Sequence, residues 1–131
     1  MADYYILDHE NLKFFLPFLS PALRRGAEQG AFLVAGAVED NLAVGAAAFS
    51  KAGSEARLES IAVSPEYQRY GIASGLLRQL IALSLQRNKA GLILTCKQEK
   101  ISFYEGFGFQ CRGVSDSSHG GAVWYDMVLT F

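Results

Sequence analysis

One run in the middle of the chain constrains the fold more than any other: a strand, a short loop, a long helix and a second strand. Residues 57–64 contain Leu58, Ile61 and Val63 and are closed by Pro65, which predicts the first strand. Residues 71–88 carry apolar side chains at spacings of three and four, which predicts an amphipathic helix. Gly91 then precedes a second predicted strand, residues 92–96. Because a helical crossover returns the chain in the same direction, these strands should be parallel neighbours.

The rest of the chain adds mostly strands. Apolar residues at helical spacing predict a helix over residues 10–19, which Pro17 would bend or end. Ser20 as N-cap and Pro21 at the first helical position predict a second helix that ends before Gly30. The remaining predicted elements are the strands 4–7, 31–38, 42–50, 109–114 and 122–129 and the short helix 97–107. We therefore predict an α/β (α+β) fold with a mixed sheet, in which residues 1–131 form a single domain.

Composition and charge exclude several classes of protein. The 131 residues are half hydrophobic and 19% charged, which is typical of a packed globule. A net charge of -1 without a basic run argues against a nucleic-acid partner. Acidic residues near the start argue against a secretory signal, and Glu39-Asp40 interrupts the most apolar stretch, so we expect no membrane span. The two cysteines lack zinc-site spacing, so we expect reduced thiols, no metal and a cytoplasmic protein.

The loop before the long helix is the chemically informative segment. A helix N-terminus presents about four unpaired backbone N–H groups and a partial positive charge, which suit a phosphate or diphosphate. Gly71 and Ala73 have little side chain to block a close approach, and Ser74 adds a hydroxyl group. A tight strand-to-helix turn that simply needs glycine would show the same residues. Neither the dinucleotide-binding glycine pattern nor the phosphate-loop ATPase pattern is present.

Two segments resemble motifs of a known enzyme superfamily. The pattern Gln68-x-x-Gly71-x-Ala73, after a strand that ends in Ile-Ala-Val-Ser-Pro, is similar to motif A of the GNAT superfamily of N-acetyltransferases. Residues 101–109, ISFYEGFGF, resemble the superfamily's later Phe-Tyr-x-x-Phe-Gly-Phe segment. Residues 94–109 resemble the arylalkylamine (serotonin-type) branch, including a cysteine eight residues before the tyrosine. Both motifs occur in the expected order, and the resemblance extends over roughly residues 31–131.

The resemblance implies a fold and a cosubstrate. The sheet would be mostly antiparallel, with a central splayed pair of parallel strands flanked by helices, and acetyl-CoA would lie between those two strands. Strand backbone would pair with the pantetheine arm, the loop would hold the diphosphate, and the later helix would line the other wall. The residues implied for acetyl-CoA binding are Ile61, Ala62, Val63, Gln68, Arg69, Tyr70, Gly71, Ile72, Ala73, Ser74 and Phe103.

Catalytic roles follow from the same resemblance. Tyr104 matches the family's tyrosine, a general acid that would protonate the leaving thiolate, since a phenol has a pKa of about 10. The arylalkylamine branch carries histidines in the strand where this chain has Arg57 and Glu59. Glu59 would serve as general base through a water, and it is equally well explained as a surface carboxylate without a role. A backbone N–H near Val63 would donate a hydrogen bond to the oxyanion of the tetrahedral intermediate.

The acceptor is constrained only to be a primary amine of a small molecule or peptide. Family topology would place His119 near it, although a solvated loop histidine explains that residue as simply. Trp124 and Tyr125 alternate on the last predicted strand, so one would pack inward and the other would face the acceptor. Lys97 stands where many relatives carry Asn, so one polar contact to the cofactor would be altered.

Two other classes of function stay open at this point. A non-catalytic acyl-CoA-binding or sensor domain on the same fold would bind acetyl-CoA and release no thiol with any amine. A structural partner module would bind no nucleotide and would show no thermal shift with acetyl-CoA. An exposed final strand would also allow the chain to form a homodimer.

Overall fold

The computed structural model describes residues 2–50, 53–116 and 119–131, and its strands form a mixed sheet. The strands are β1 (Asp3–Ile6), β2 (Phe32–Glu39), β3 (Leu42–Ser50), β4 (Ala56–Val63), β5 (Gly91–Cys96), β6 (Gln110–Val114) and β7 (Tyr125–Thr130). The helices are α1 (Pro21–Glu28), α2 (Ile72–Gln86) and α3 (Ile101–Glu105). The strand order is β1-β2-β3-β4-β5-β7-β6, and of these neighbours only β4 and β5 run parallel. The predicted mixed sheet with a parallel pair is confirmed. None of the described helices is long and apolar enough to span a bilayer.

The N-terminal segment differs from the helix predicted over residues 10–19. It forms two short 3-10 turns, Leu12–Phe14 and Leu16–Phe18, with Pro17 inside the second turn. Proline has no N–H to donate to a continuous helix, and its ring crowds the preceding turn. The prediction of one helix is therefore wrong, although the same apolar side chains still face the core.

The second helix is confirmed, and so are the predicted strands 31–38 and 42–50, which form a hairpin. α1 begins at Pro21, and the Ser20 hydroxyl accepts a hydrogen bond of 3.4 Å from the Leu23 N–H. β2 and β3 are joined by Asp40 and Asn41, whose φ angles are 53° and 61°. Two successive left-handed residues form the mirror-image turn that matches the twist of a hairpin, and Asp and Asn tolerate it better than most residues.

Two apolar clusters cover opposite faces of the sheet. We call the face that packs against α2 the front face, and the opposite one the rear face. Buried front-face residues of β5 and β7 pack with the leucines of α2; they include Leu92, Leu94, Cys96 and Met127. The rear-face cluster joins α1 and the 3-10 turns to β2 and β3, and includes Phe15, Leu19, Val34, Ala46 and Ala48. The rear cluster takes its strand residues from β2 and β3. Within the described residues it therefore covers the rear face at those two strands and not at β5 and β7.

Gly36 on β2 is a position where a side chain has no room. An added Cβ would lie 2.5 Å from the ring of the buried Phe15. We expect Gly36→Ala to lower the free energy of unfolding by about 1–3 kcal/mol, because the ring must move inside a close-packed cluster. Denaturant unfolding measures the change, and a midpoint equal to that of the wild-type protein would show that the ring turns aside without cost.

β7 lies inside the sheet and not at its edge. It begins at Tyr125, later than the predicted residue 122, and it pairs with β5 on one side and β6 on the other. Both of its edges are therefore occupied, so the prediction that the final strand is exposed is wrong. The edge position is taken by β6, whose residues are all exposed.

Candidate active site

A cleft opens through the sheet where β4 and β5 separate. Among the described residues the two strands pair at Ala56↔Leu92 and Arg57↔Ile93 and nowhere beyond, although both strands continue. The gap between them is a cleft of about 970 Å³. The predicted site residues that line it are Glu59, Ile61, Val63, Gln68, Arg69, Gly71, Ile72, Ala73, Ser74, Phe103 and Tyr104.

Glu59 is the residue at which β4 leaves its regular pairing. In the register with β3, Ser60 faces Ala48 and Leu58 faces Phe49, so Glu59 has no residue opposite it. Such an extra residue is a β-bulge, which bends the strand and increases its twist. We infer that the bend turns the second half of β4 away from β5 and opens the cleft at the level of Glu59.

Beyond the bulge, β4 presents backbone groups to the cleft. The Ser64 N–H donates to the Val44 carbonyl of β3 at 2.8 Å. This bond shows which residues of β4 direct their backbone groups toward β3. Since backbone groups alternate sides along a strand, Ala62 points at β3, whereas Ile61 and Val63 point into the gap. The side-chain amide of Gln68 donates to the Val63 carbonyl at 3.3 Å. The Val63 N–H and the backbone of Ile61 are thus available to a ligand in an extended conformation.

The loop that follows β4 carries a row of unused hydrogen-bond donors. Six consecutive backbone N–H groups, those of residues 69–74, have no acceptor among the described residues. The row runs into the first turn of α2, where the positive end of the helix dipole adds to its field. A diphosphate fits this row, because it is an anion with several acceptor oxygens on neighbouring phosphorus atoms.

Two left-handed residues shape the same loop. The φ angles of Arg69 and Gly71 are 71° and 76°. This conformation costs a residue such as arginine about 1–2 kcal/mol, and strain of that kind clusters at binding sites. A Cβ at Gly71 would meet no protein atom within 4 Å, so the backbone conformation, and not a lack of space, requires glycine there. Gly71 lines the cleft, so the free space beside it is open to a ligand.

Tyr104 reaches the cleft from α3. Its ring packs edge-on against Phe103 and Phe109, with ring centroids 5.1 and 5.7 Å away. Burial raises the pKa of Tyr104 to about 12, and the neighbouring Cys96 adds to the shift. The hydroxyl makes no hydrogen bond with any residue in the described part of the chain. The phenol is therefore protonated at neutral pH and free to donate to a ligand.

A match to a family model identifies the family to which the chain belongs. The model described as an acetyltransferase (GNAT) domain matches residues 7–131. The chain belongs to the GNAT family of acetyltransferases. The resemblance seen in the two sequence motifs is thereby confirmed at the level of the family, and the activity of this domain is acetyl transfer.

Solved structures share the fold of this GNAT domain over nearly the whole of both chains. The ribosomal-protein-S18-alanine N-acetyltransferase from Escherichia coli is 23% identical, with a TM-score of 0.84, over 99% of this chain and 94% of that chain. Arabidopsis thaliana Naa50, in complex with the bisubstrate analogue CoA-Ac-MVNAL, is 20% identical, with a TM-score of 0.78 over 99% of each chain. A GNAT family acetyltransferase from Elizabethkingia anophelis with acetyl-CoA bound is 16% identical, with a TM-score of 0.74, over 98% and 95%.

In this GNAT domain the bulge brings the carboxylate of Glu59 to the cleft. Its side chain is 22% exposed, and Oε2 lies 3.8 Å from Nε of Arg57, which is 40% exposed. An ion pair at this exposure contributes at most about 1 kcal/mol to stability. Glu99 is a second carboxylate in the cleft lining, but it is exposed, whereas Glu59 is half-buried and lies where β4 separates from β5.

Two of the residues implied for acetyl-CoA binding, Ala62 and Tyr70, do not join the lining. Ala62 points its backbone at β3, and Tyr70, 76% exposed, lines a separate groove with Tyr67 and Asp40. The side chain of His119 lies outside the described residues. Of the last aromatic pair, Trp124 lines the cleft, where the Lys97 ammonium lies 5.7 Å from its ring centroid.

Sequence reasoning missed several cleft residues, among them the polar residues Ser60 and Thr95. Thr95 is the polar residue of the apolar strand β5, and that contrast was a usable signal. Ser60 gave no signal, because its position depends on the bulge at Glu59. Its Oγ is buried and has no hydrogen-bond partner within the described ranges.

Proposed function

We propose that this GNAT domain moves the acetyl group of acetyl-CoA directly to a primary amine of a small molecule or peptide, in a ternary complex. The observation that carries the proposal is the row of free N–H groups of residues 69–74 beside a cleft that reaches Tyr104. Acetyl-CoA fits both features: its diphosphate suits the N–H row, and its extended pantetheine arm suits the free backbone of β4. The coenzyme A groups bound by the Arabidopsis and Elizabethkingia proteins support the same choice.

The residues proposed for acetyl-CoA occupy three parts of the cleft. Ile61 and Val63 offer backbone groups to the pantetheine arm, and Phe103 forms the opposite wall. The N–H row and the Ser74 hydroxyl hold the diphosphate. The N–H groups belong to Arg69, Tyr70, Gly71, Ile72, Ala73 and Ser74, and Gln68 supports the loop through its side-chain hydrogen bond to the Val63 carbonyl.

The chemistry divides between the cosubstrate and the chain. Acetyl-CoA supplies an acetyl group already activated as a thioester. The Val63 N–H, which faces the gap, donates a hydrogen bond to the oxygen on which negative charge develops. Tyr104 donates its proton to the departing sulfur, a role that suits a phenol whose pKa is raised by burial, since it is protonated before the step.

Glu59 is the proposed general base. It stands at the level where the cleft opens, and a water between its carboxylate and the acceptor would carry the proton away from the amine. The ion pair with Arg57 holds the carboxylate in place without removing it from the cleft lining.

We expect Glu59→Gln to lower kcat by about 10²-fold or more, because an amide cannot take a proton from the acceptor. The Kd for acetyl-CoA should be unchanged, since the groups proposed to hold its diphosphate are backbone N–H groups that the substitution leaves in place. Steady-state thiol release and calorimetry measure the two quantities. Glu55→Gln, at an exposed position just before β4, is the matched control. Equal activity of the two variants would contradict the role of Glu59.

A thiol-release screen tests the proposed function itself. The protein is mixed with acetyl-CoA and one amine at a time: an amino acid, a peptide, an aminoglycoside, a polyamine or an arylalkylamine. We expect free thiol to appear with at least one amine, and the arylalkylamine tests the branch that residues 94–109 resemble. Binding of acetyl-CoA without thiol release from any amine would support the non-catalytic sensor instead.

The free cysteines support one further proposal, on localisation. Cys96 is buried and Cys111 is exposed, and both are free thiols. Free thiols persist in reducing compartments, so we propose that the protein works in the cytoplasm.

A further inference from the structure

We propose that Asp126 on β7 binds a positively charged group of the acceptor, so that the favoured acceptors are amines with a second positive charge. The inference rests on the proposed acetyl transfer at the cleft, and it adds the chemical class of the acceptor and a specificity-determining residue. It is carried by the register of β5 and β7, by the part of the rear face beside the cleft that no cluster of described residues covers, and by the lack of a partner for Asp126 among those residues.

The rear face of the sheet gives the acceptor its approach. Leu94 and Met127 pack on the front face with α2, so the alternation of side chains turns Thr95 and Asp126 to the rear. The cluster that covers the rear face takes its strand residues from β2 and β3. The proposed acetyl-CoA site is bordered on the front by α2 and α3. An amine that meets the cleft from the other side therefore passes over Thr95 and Asp126.

Asp126 lies one strand away from the cleft wall. In the register of β5 and β7 it stands directly opposite Thr95, and Thr95 lines the cleft. Directly opposed residues have Cβ atoms about 4.5–5.5 Å apart. A cation held by Asp126 is thus displaced sideways from the cleft by roughly one strand spacing of about 4.8 Å. That displacement suits a second charged group on the acceptor better than the nitrogen that is acetylated.

The charge of Asp126 is uncompensated within the described residues. Its side chain is half-buried and makes no hydrogen bond or ion pair with them. Arg57 lies two strands away on β4 and is engaged by Glu59 at 3.8 Å, and the exposed Arg112 on the neighbouring β6 makes no ion pair with Asp126 within the described part of the chain. A carboxylate without a partner is free to accept a charge-assisted hydrogen bond from a bound ammonium group.

Three amines of equal chain length isolate this contact. They are 1,4-diaminobutane, n-butylamine and 4-aminobutyrate, which end in a positive, a neutral and a negative group. Each is assayed by thiol release with acetyl-CoA, using the wild-type protein and the variant Asp126→Asn. Asp3→Asn is the matched control, since it makes the same change at an exposed position on β1, at the far edge of the sheet.

For the wild-type protein we expect kcat/KM to be about tenfold higher for the diamine than for butylamine, and lowest for the aminobutyrate. Asp126→Asn should lower kcat/KM for the diamine by about tenfold, through KM, and should change that for butylamine by less than about twofold. A merely structural role of Asp126 would lower activity on all three amines together. Equal losses, or no preference for the diamine in the wild-type protein, would overturn the proposal.

A binding measurement gives a second test that needs no turnover. Trp124 is the single tryptophan of the chain and lines the cleft, so its fluorescence reports on ligands bound nearby. With coenzyme A at saturation, 1,4-diaminobutane should change this fluorescence with a Kd about tenfold weaker in Asp126→Asn than in Asp3→Asn. Equal Kd values in the two variants would overturn the proposal.

The outcomes separate this inference from the proposed function. Thiol release that is unaffected by Asp126→Asn removes the role of Asp126 and leaves acetyl transfer to an amine standing. Failure of all three matched amines, while another amine of the wider screen is acetylated, has the same meaning. Absence of thiol release with every amine overturns both.

Discussion

Replacing Tyr104 by phenylalanine is expected to lower kcat by about 10²- to 10⁴-fold, the range typical of a lost general acid. The hydroxyl has no partner among the described residues, so its removal leaves no orphaned group inside the protein. The ring contacts with Phe103 and Phe109 remain in the variant. We therefore expect the Kd for acetyl-CoA and the melting temperature to stay close to those of the wild-type protein.

Single-turnover thiol release measures the loss in rate, and titration calorimetry measures the Kd for acetyl-CoA. Thermal denaturation gives the melting temperature. Tyr5→Phe, at an exposed position on β1, is the matched control and should keep full activity. The pH profile adds a further check. Because the pKa of Tyr104 is about 12, ionisation of this group should cause no fall in kcat up to about pH 10 in the wild-type protein. Wild-type turnover by Tyr104→Phe would remove the residue from the mechanism.

A carboxylate placed in the N–H row should strongly weaken the binding of acetyl-CoA while leaving the fold intact. Ala73 lies in the first turn of α2, where an aspartate is favourable to the helix because it faces the positive end of the dipole. The same charge repels a diphosphate that seeks the same N–H groups. We expect Ala73→Asp to weaken the binding of acetyl-CoA by about 100-fold or more, which is about 2.7 kcal/mol.

Thermal denaturation with and without acetyl-CoA separates the two effects. A ligand present at 100 times its Kd adds about 2.7 kcal/mol, which raises the melting temperature of a domain of this size by about 10 °C. Ala73→Asp should lose that rise while its melting temperature without ligand stays equal or increases. Ala82→Asp, at an exposed position further along α2, should keep the rise. An undiminished ligand-induced rise in Ala73→Asp would show that the diphosphate binds elsewhere.

The parts of the fold that the sequence predicted are those with local signals. The strand closed by Pro65, the glycine before α2 and the helical spacing within α2 are all readable within about twenty residues, and together they imply the parallel pair. The N-cap at Ser20 and the turn at Asp40 and Asn41 are equally local. The 3-10 turns were missed because apolar residues three and four apart lie on one side of an α-helix and also on one side of short 3-10 turns. Within residues 10–19, only Pro17 argued against an α-helix.

The parts of the site that the sequence did not reveal depend on register between distant segments. The bulge at Glu59 is defined by the pairing of β4 with β3, and it decides which backbone groups enter the cleft. The juxtaposition of Thr95 and Asp126 depends on β7 lying between β5 and β6. Sequence spacing contains neither relation. The motif resemblance identified the cleft residues of the loop and α3, but it also included Tyr70, whose side chain points to another groove.

The most direct measurement of the central claim compares two ligands in one calorimetric experiment on the wild-type protein. Coenzyme A and pantetheine share the thiol arm, but pantetheine lacks the diphosphate and the nucleoside attached to it. If the N–H groups of residues 69–74 hold the diphosphate, coenzyme A binds about 100-fold more tightly or better than pantetheine, and higher salt reduces the difference. Equal dissociation constants for the two ligands, or no heat of binding with coenzyme A, would contradict the account.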